Sequence, residues 1–167
     1  ARISLNAIMR EQVRALSTLD MNNTVFVHGA AGTGKTYLVL NWANRALRDG
    51  KRVLITCYNE PLADYLALQF SEEQNIVVSA YLKIPEAVEG FPALPVPNPL
   101  PRDWWDTAPL AHIKKYASQL SNQFDTIIVD ETQDFNGEWI NSLIELHDPE
   151  GSQSLLMVGD WQQNIYQ

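Results

Sequence analysis

Gly29-Ala30-Ala31-Gly32-Thr33-Gly34-Lys35-Thr36 is the stretch from which the rest of the chain is read. It satisfies G-x4-G-K-[ST] at every fixed position. Small residues let successive backbone N–H groups curl around a phosphate chain, and a helix that begins here adds its positive end. Lys35 has the reach for the β- and γ-phosphates, and the Thr36 hydroxyl is a Mg²⁺ ligand in this pattern. Thr24-Val25-Phe26-Val27-His28 runs into the loop as a short β-branched and aromatic strand. Thr36 to Arg48 leaves it as a helix, with Leu38, Val39, Trp42 and Ala46 on its packed face and Gly50 as its cap.

The same strand–helix alternation extends outward. Arg52–Thr56, Asn75–Ser79, Thr126–Val129 and Ser154–Val158 read as further strands. Helices are expected over 5–19, after Asn59 (with Leu62, Tyr65, Leu66 and Phe70 spaced for burial), over about 103–120, and around Trp139 to Leu146. Strands separated by helices imply a mostly parallel sheet covered on both faces, a three-layer α/β domain. One stretch breaks the rhythm. Five of the nine prolines fall between Phe91 and Pro101, where neither a helix nor a central strand survives. Residues 80–122 therefore read as an inserted loop and helix on a single domain spanning 1–167, with an ordinary long crossover as the alternative. In that helix Trp104 and Trp105 are expected to pack rather than to meet a ligand.

Composition narrows the function classes. The chain has 167 residues, 46% of them apolar, enough for one domain with a real core. Twelve Lys and Arg against 20 Asp and Glu leave a net charge of −8, the wrong sign for a domain that grips nucleic acid over its whole surface. A single cysteine, Cys57, excludes an internal disulfide and a Cys-rich zinc site, and reads as a small buried hydrophobe. No apolar run reaches the roughly 18–20 residues of a membrane span. These readings imply a cytoplasmic, monomeric domain without a membrane partner.

A phosphate loop needs an acid near its metal, and Ile127-Ile128-Val129-Asp130-Glu131 supplies two at the end of a buried strand. In an open parallel sheet, strand carboxyl ends and the phosphate loop share one edge. Asp130 is placed to hold Mg²⁺. Glu131, one residue on, is placed to polarise an attacking water.

Asp130-Glu131-Thr132-Gln133-Asp134-Phe135 resembles motif II of the UvrD/Rep-type superfamily 1 DNA helicases, and Val158-Gly159-Asp160-Trp161-Gln162-Gln163-Asn164-Ile165-Tyr166 resembles their motif III. The order and spacing of the three motifs agree, and the likeness covers most of the chain outside 80–122. The resemblance implies an N-terminal RecA-like P-loop NTPase domain that uses ATP and Mg²⁺. It implies that Gln163 senses the γ-phosphate, that Gln12 reads the adenine edge, and that Thr56, Asn59 and Tyr166 contact single-stranded DNA. Glu60-Pro61 stands where many relatives carry Lys-Ala, which weakens a phosphate contact there. The family's arginine-bearing later motifs belong to a second RecA-like domain, and none is identifiable in this chain. The expectation is thus a motor-domain fragment of a helicase or translocase, with an ATP-switch regulatory module lacking helicase activity as the alternative. By itself the domain is expected to bind Mg-ATP and to turn it over poorly. Steady-state hydrolysis with and without single-stranded DNA checks this, and strong DNA-stimulated turnover by the domain alone would refute it.

Overall fold

The computed structural model describes residues 24–29, 34–120 and 123–160. The expected helix over 5–19 lies outside them. Ten regular elements follow in chain order. They are β1 (Thr24–His28), α1 (Lys35–Arg48), β2 (Val53–Cys57), α2 (Glu60–Leu68), β3 (Ile76–Ala80), α3 (Ile84–Ala87), α4 (Trp104–Tyr116), β4 (Thr126–Asp130), α5 (Gly137–Ile144) and β5 (Ser154–Gly159).

The five strands form one sheet in the order β1-β5-β4-β2-β3, and every pairing is parallel. The inner strands β2, β4 and β5 are rich in Val, Ile and Leu and buried almost throughout, as expected for strands covered on both faces, whereas Phe26 of the edge strand β1 is exposed. Side chains alternate between the two faces. Val25, Val53, Ile55, Ile128, Leu156 and Val158 meet α1 and α2 in one core. Leu54, Ile127, Val129, Leu155 and Met157 meet α3, α4 and α5 in the other. The segment from Tyr81 to Leu120 is the chain's path from β3 to β4, and Tyr81, Ile84, Val88, Ile113, Ala117 and Leu120 all belong to that second core.

Local chemistry sets the helix ends. Asn59 Oδ1 accepts from the Leu62 N–H at 2.9 Å and caps α2, whose Pro61 sits in the first turn where its missing donor costs nothing. Asn136 caps α5 in the same way, accepting from the Trp139 N–H at 2.9 Å. At the far end of α1 the Lys51 N–H reaches the Ala46 carbonyl at 2.9 Å and the Gly50 N–H reaches Leu47 at 3.0 Å, the paired bonds of a Schellman ending. Arg45 and Arg48 lie in that last turn, where cations suit the helix dipole.

Several expectations about burial are corrected. Tyr65 is half exposed because α2 packs through Ala63 and Leu66, one step round the helix. Trp104 is buried as expected, but Trp105 is 41% exposed and meets Trp104 edge-on at 4.6 Å. Ile144 is exposed at the end of α5, while Leu143 and Leu146 fill the core. Removing a fully buried side chain leaves a void that the close-packed sheet cannot close. Leu143→Ala is expected to lower stability by about 2–5 kcal/mol in urea unfolding. Leu68→Ala, at a 72% exposed position, is expected to change it by less than about 0.5 kcal/mol.

Candidate functional site at the carboxyl edge of the sheet

Because all five strands are parallel, their carboxyl ends share one rim. The end of β1 meets that of β5 there, with His28 in register with Gly159 and the Gly29 N–H donating to the Gly159 carbonyl at 3.2 Å. Asp130 is in register with Val158, and Thr56 with Val129. The phosphate-loop strand and the acidic strand are not neighbours, since β5 lies between them.

Gly34 has φ +84°, a left-handed conformation in which a Cβ is strained, and it opens α1. Its carbonyl accepts from the Leu38 N–H at 3.2 Å, the first helical bond. Lys35 and Thr36 thereby fall in the first turn of α1, where the unpaired N–H groups and the dipole favour an anion. Lys35 is 7% exposed, unusual for a lysine and evidence of a preformed position. Gly29, Gly34, Lys35 and Thr36 are described, whereas Ala30, Ala31, Gly32 and Thr33 lie outside the described residues.

Asp130 is fully buried. Its Oδ1 accepts from the Glu131 N–H at 2.8 Å, while its Oδ2 is buried with no hydrogen-bond partner. Burial pushes its carboxyl up to about 6. The Glu131 N–H bond pulls it down, the Glu131 charge pushes it up, and the Lys35 ammonium is near enough to pull it down slightly. A buried carboxylate oxygen without a hydrogen-bond partner is costly unless a cation completes it. Asp130 and the Thr36 hydroxyl therefore suit Mg²⁺, which takes one or two protein oxygens and fills its other positions with phosphate and water. Among the described residues, no group of three or more His, Cys, Asp or Glu forms a denser metal site.

Glu131 has φ +51°, a conformation that L residues rarely adopt. It turns the chain abruptly off β4 into a short 3₁₀ turn over Thr132–Asp134. The turn is fastened on several sides. The Asp134 N–H donates to the Glu131 carbonyl at 3.0 Å. The Thr132 hydroxyl lies 3.1 Å from the carbonyls of both Val129 and Val158, bridging β4 and β5. Gln133 donates through Nε2 to Glu131 Oε2 and accepts at Oε1 from the Asp160 N–H at 3.1 Å. Asp134 is pushed upward by burial and by the Glu131 charge. Sequence reasoning missed Thr132 and Gln133 because Val158 and Asp160, which they bond, are remote in sequence.

An aromatic column, also missed, backs the rim. Tyr58, just after β2, stacks on Trp139 at 5.8 Å, and Trp139 stacks on Tyr81 at 4.6 Å. Phe135 meets both Tyr81 and Trp139 edge-on. The Tyr81 hydroxyl bonds Ser142 at 2.8 Å, and burial raises the phenol to about 12. Only Tyr58 of this column reaches solvent.

Of the three expected DNA contacts, Thr56 is fully buried, so a strand cannot touch its side chain in this arrangement. Asn59 is exposed near the rim, with its side-chain oxygen engaged in the α2 cap. Tyr166 lies outside the described residues, as do Gln12 and Gln163. Cys57 is buried, its thiol donating to the Asn59 carbonyl at 3.2 Å. Burial, then the Asp130 charge, raises that thiol to about 12, as expected of an inert cysteine.

A family model described as an AAA domain matches residues 12–167. The chain belongs to this AAA-domain family. No curated protein matches it. The AAA domain has the α/β architecture of a RecA-like P-loop NTPase, an ATP-binding fold whose members generally use Mg²⁺. Among its described residues, no helix is long and apolar enough to cross a membrane.

Asp130 sets a pH signature for the AAA domain free of metal and nucleotide. Between its ordinary value of 3.8 and about 6 the folded protein keeps a proton that the unfolded chain has released, so this group's stabilising contribution falls as pH rises through that window. Asp130→Asn is expected to be more stable than the wild type near neutral pH, with the difference shrinking below 3.8, as urea midpoints at the two pH values will show.

Proposed function

We propose that this AAA domain is the N-terminal motor domain of an ATP-dependent superfamily 1 DNA helicase or translocase of the UvrD/Rep type. The observation that carries the reading is the buried, partnerless Oδ2 of Asp130 within the field of Lys35, one residue from Glu131 and on the rim where α1 begins. The strings around Asp130 and Gly159 support the helicase assignment over a generic nucleotide switch.

On this reading Mg-ATP is held between the loop at 29–36 and Asp130. Mg²⁺, held by Thr36 and Asp130, neutralises phosphate charge when bound. Lys35 adds a fixed positive charge where negative charge builds up during γ-phosphoryl transfer. Glu131 accepts a hydrogen bond from the attacking water and holds it in line, and its left-handed backbone sets that direction. Gln12 reads the adenine edge and Gln163 the γ-phosphate. Asn59 and Tyr166 face single-stranded DNA, Tyr166 by stacking on a base, which is tolerant of sequence. A second RecA-like domain supplies the arginines that complete the cleft, and its closure on ATP moves the strand in steps.

In the intact protein, Lys35→Ala is expected to abolish nucleotide binding or turnover with the fold retained by circular dichroism. Glu131→Gln is expected to keep ATP binding and lose hydrolysis. Turnover that single-stranded DNA fails to stimulate, with DNA binding absent as well, would favour the nucleotide-switch alternative.

A further inference from the structure

The side-chain amide of Gln133 spans two partners of opposite character. A carboxylate only accepts hydrogen bonds and a backbone N–H only donates, so the amide can face them in one orientation, with Nε2 on Glu131 Oε2 and Oε1 on the Asp160 N–H. Gly159 is what lets it lie against β5. A Cβ there would come within 2.7 Å of Gln133 Oε1 and 3.2 Å of the Thr132 nitrogen. Glu131 is thus fastened through its own backbone to Asp130 and through its carboxylate to the chain leaving β5.

We propose that Gln133 is a positioning residue that couples the Glu131 carboxylate to the backbone at Asp160. The coupling rests on the reading of Glu131 as the group that orients water. Residues 161–167, which carry Gln163 and Tyr166, continue directly from Asp160. One hydrogen-bonded side chain thereby links the water-orienting group to the backbone that leads into that segment.

The test uses the intact protein and compares Gln133→Leu, Gln133→Glu and Glu131→Gln. Gln133→Leu removes both bonds and is expected to lower kcat by about 10–100-fold while KM for ATP and affinity for ADP change little, the penalty of a misplaced catalytic group. Stimulation by single-stranded DNA is expected to fall with it. Gln133→Glu keeps the acceptor for Asp160, but the new carboxyl donates to Glu131 only when protonated. Its deficit in kcat relative to the wild type is therefore expected to shrink as pH is lowered while KM for ATP and affinity for ADP change little, a split that a merely structural role would not produce. If Gln133→Leu fails to fold, the pH dependence of Gln133→Glu still decides. Loss of turnover in Glu131→Gln together with wild-type kcat, DNA stimulation and pH profile in both Gln133 variants would overturn the coupling alone. Undiminished turnover in Glu131→Gln would remove the role of Glu131, and the coupling with it.

Discussion

Burying the carboxylate of Asp130 at the end of a central strand is the constraint around which this domain is organised. A charge removed from water must be paired or completed by a ligand. Here one oxygen takes the next residue's N–H, and the other faces no protein donor. The sheet could raise its own stability by placing an apolar residue there, as Ile127, Ile128 and Val129 do just before it. Retaining the acid costs the domain stability, and the Lys35 charge is only a weak counterweight.

The parallel sheet turns that local cost into a site. Every strand delivers its carboxyl end to one rim, so Gly29 just past β1, Asp130 and Glu131 at the end of β4 and Gly159 at the end of β5 converge without long loops to bring them together. Insertion of β5 between β1 and β4 sets their separation, and a parallel neighbour lies roughly 4.8 Å away. It also makes β5 the structural witness to both sides. Its Gly159 carbonyl holds the start of the phosphate loop, and its Val158 carbonyl takes the Thr132 hydroxyl.

Stiffness behind the rim comes from two sources. Hydrogen bonds of Thr132 and Gln133 tie the turn after β4 to β5, and the stack of Tyr58, Trp139 and Tyr81 supports it from the side of α5. Offset aromatic pairs add specific geometry to large buried area, which favours one packing over many. The hydroxyl of Thr56 is the other buried side-chain oxygen without a hydrogen-bond partner among the described residues, and nothing in the structure explains it.

Local chemistry carried much of this in the order of residues. The spacing of Gly29, Gly34, Lys35 and Thr36, the β-branched runs and the capping Asn59 act within a few positions of themselves, so strands, helix starts and the acids at 130–131 were legible before any fold was known. What depended on distant partners was not. The order β1-β5-β4-β2-β3, the exposure of Tyr65 and Trp105, the burial of Thr56 and the bridging of β4 to β5 by Thr132 and Gln133 arise from contacts between segments remote in the chain. Sequence periodicity says which face of an element is apolar, but only packing decides what covers that face. A hydrogen bond formed across a sheet leaves no mark on the spacing of the residues that make it.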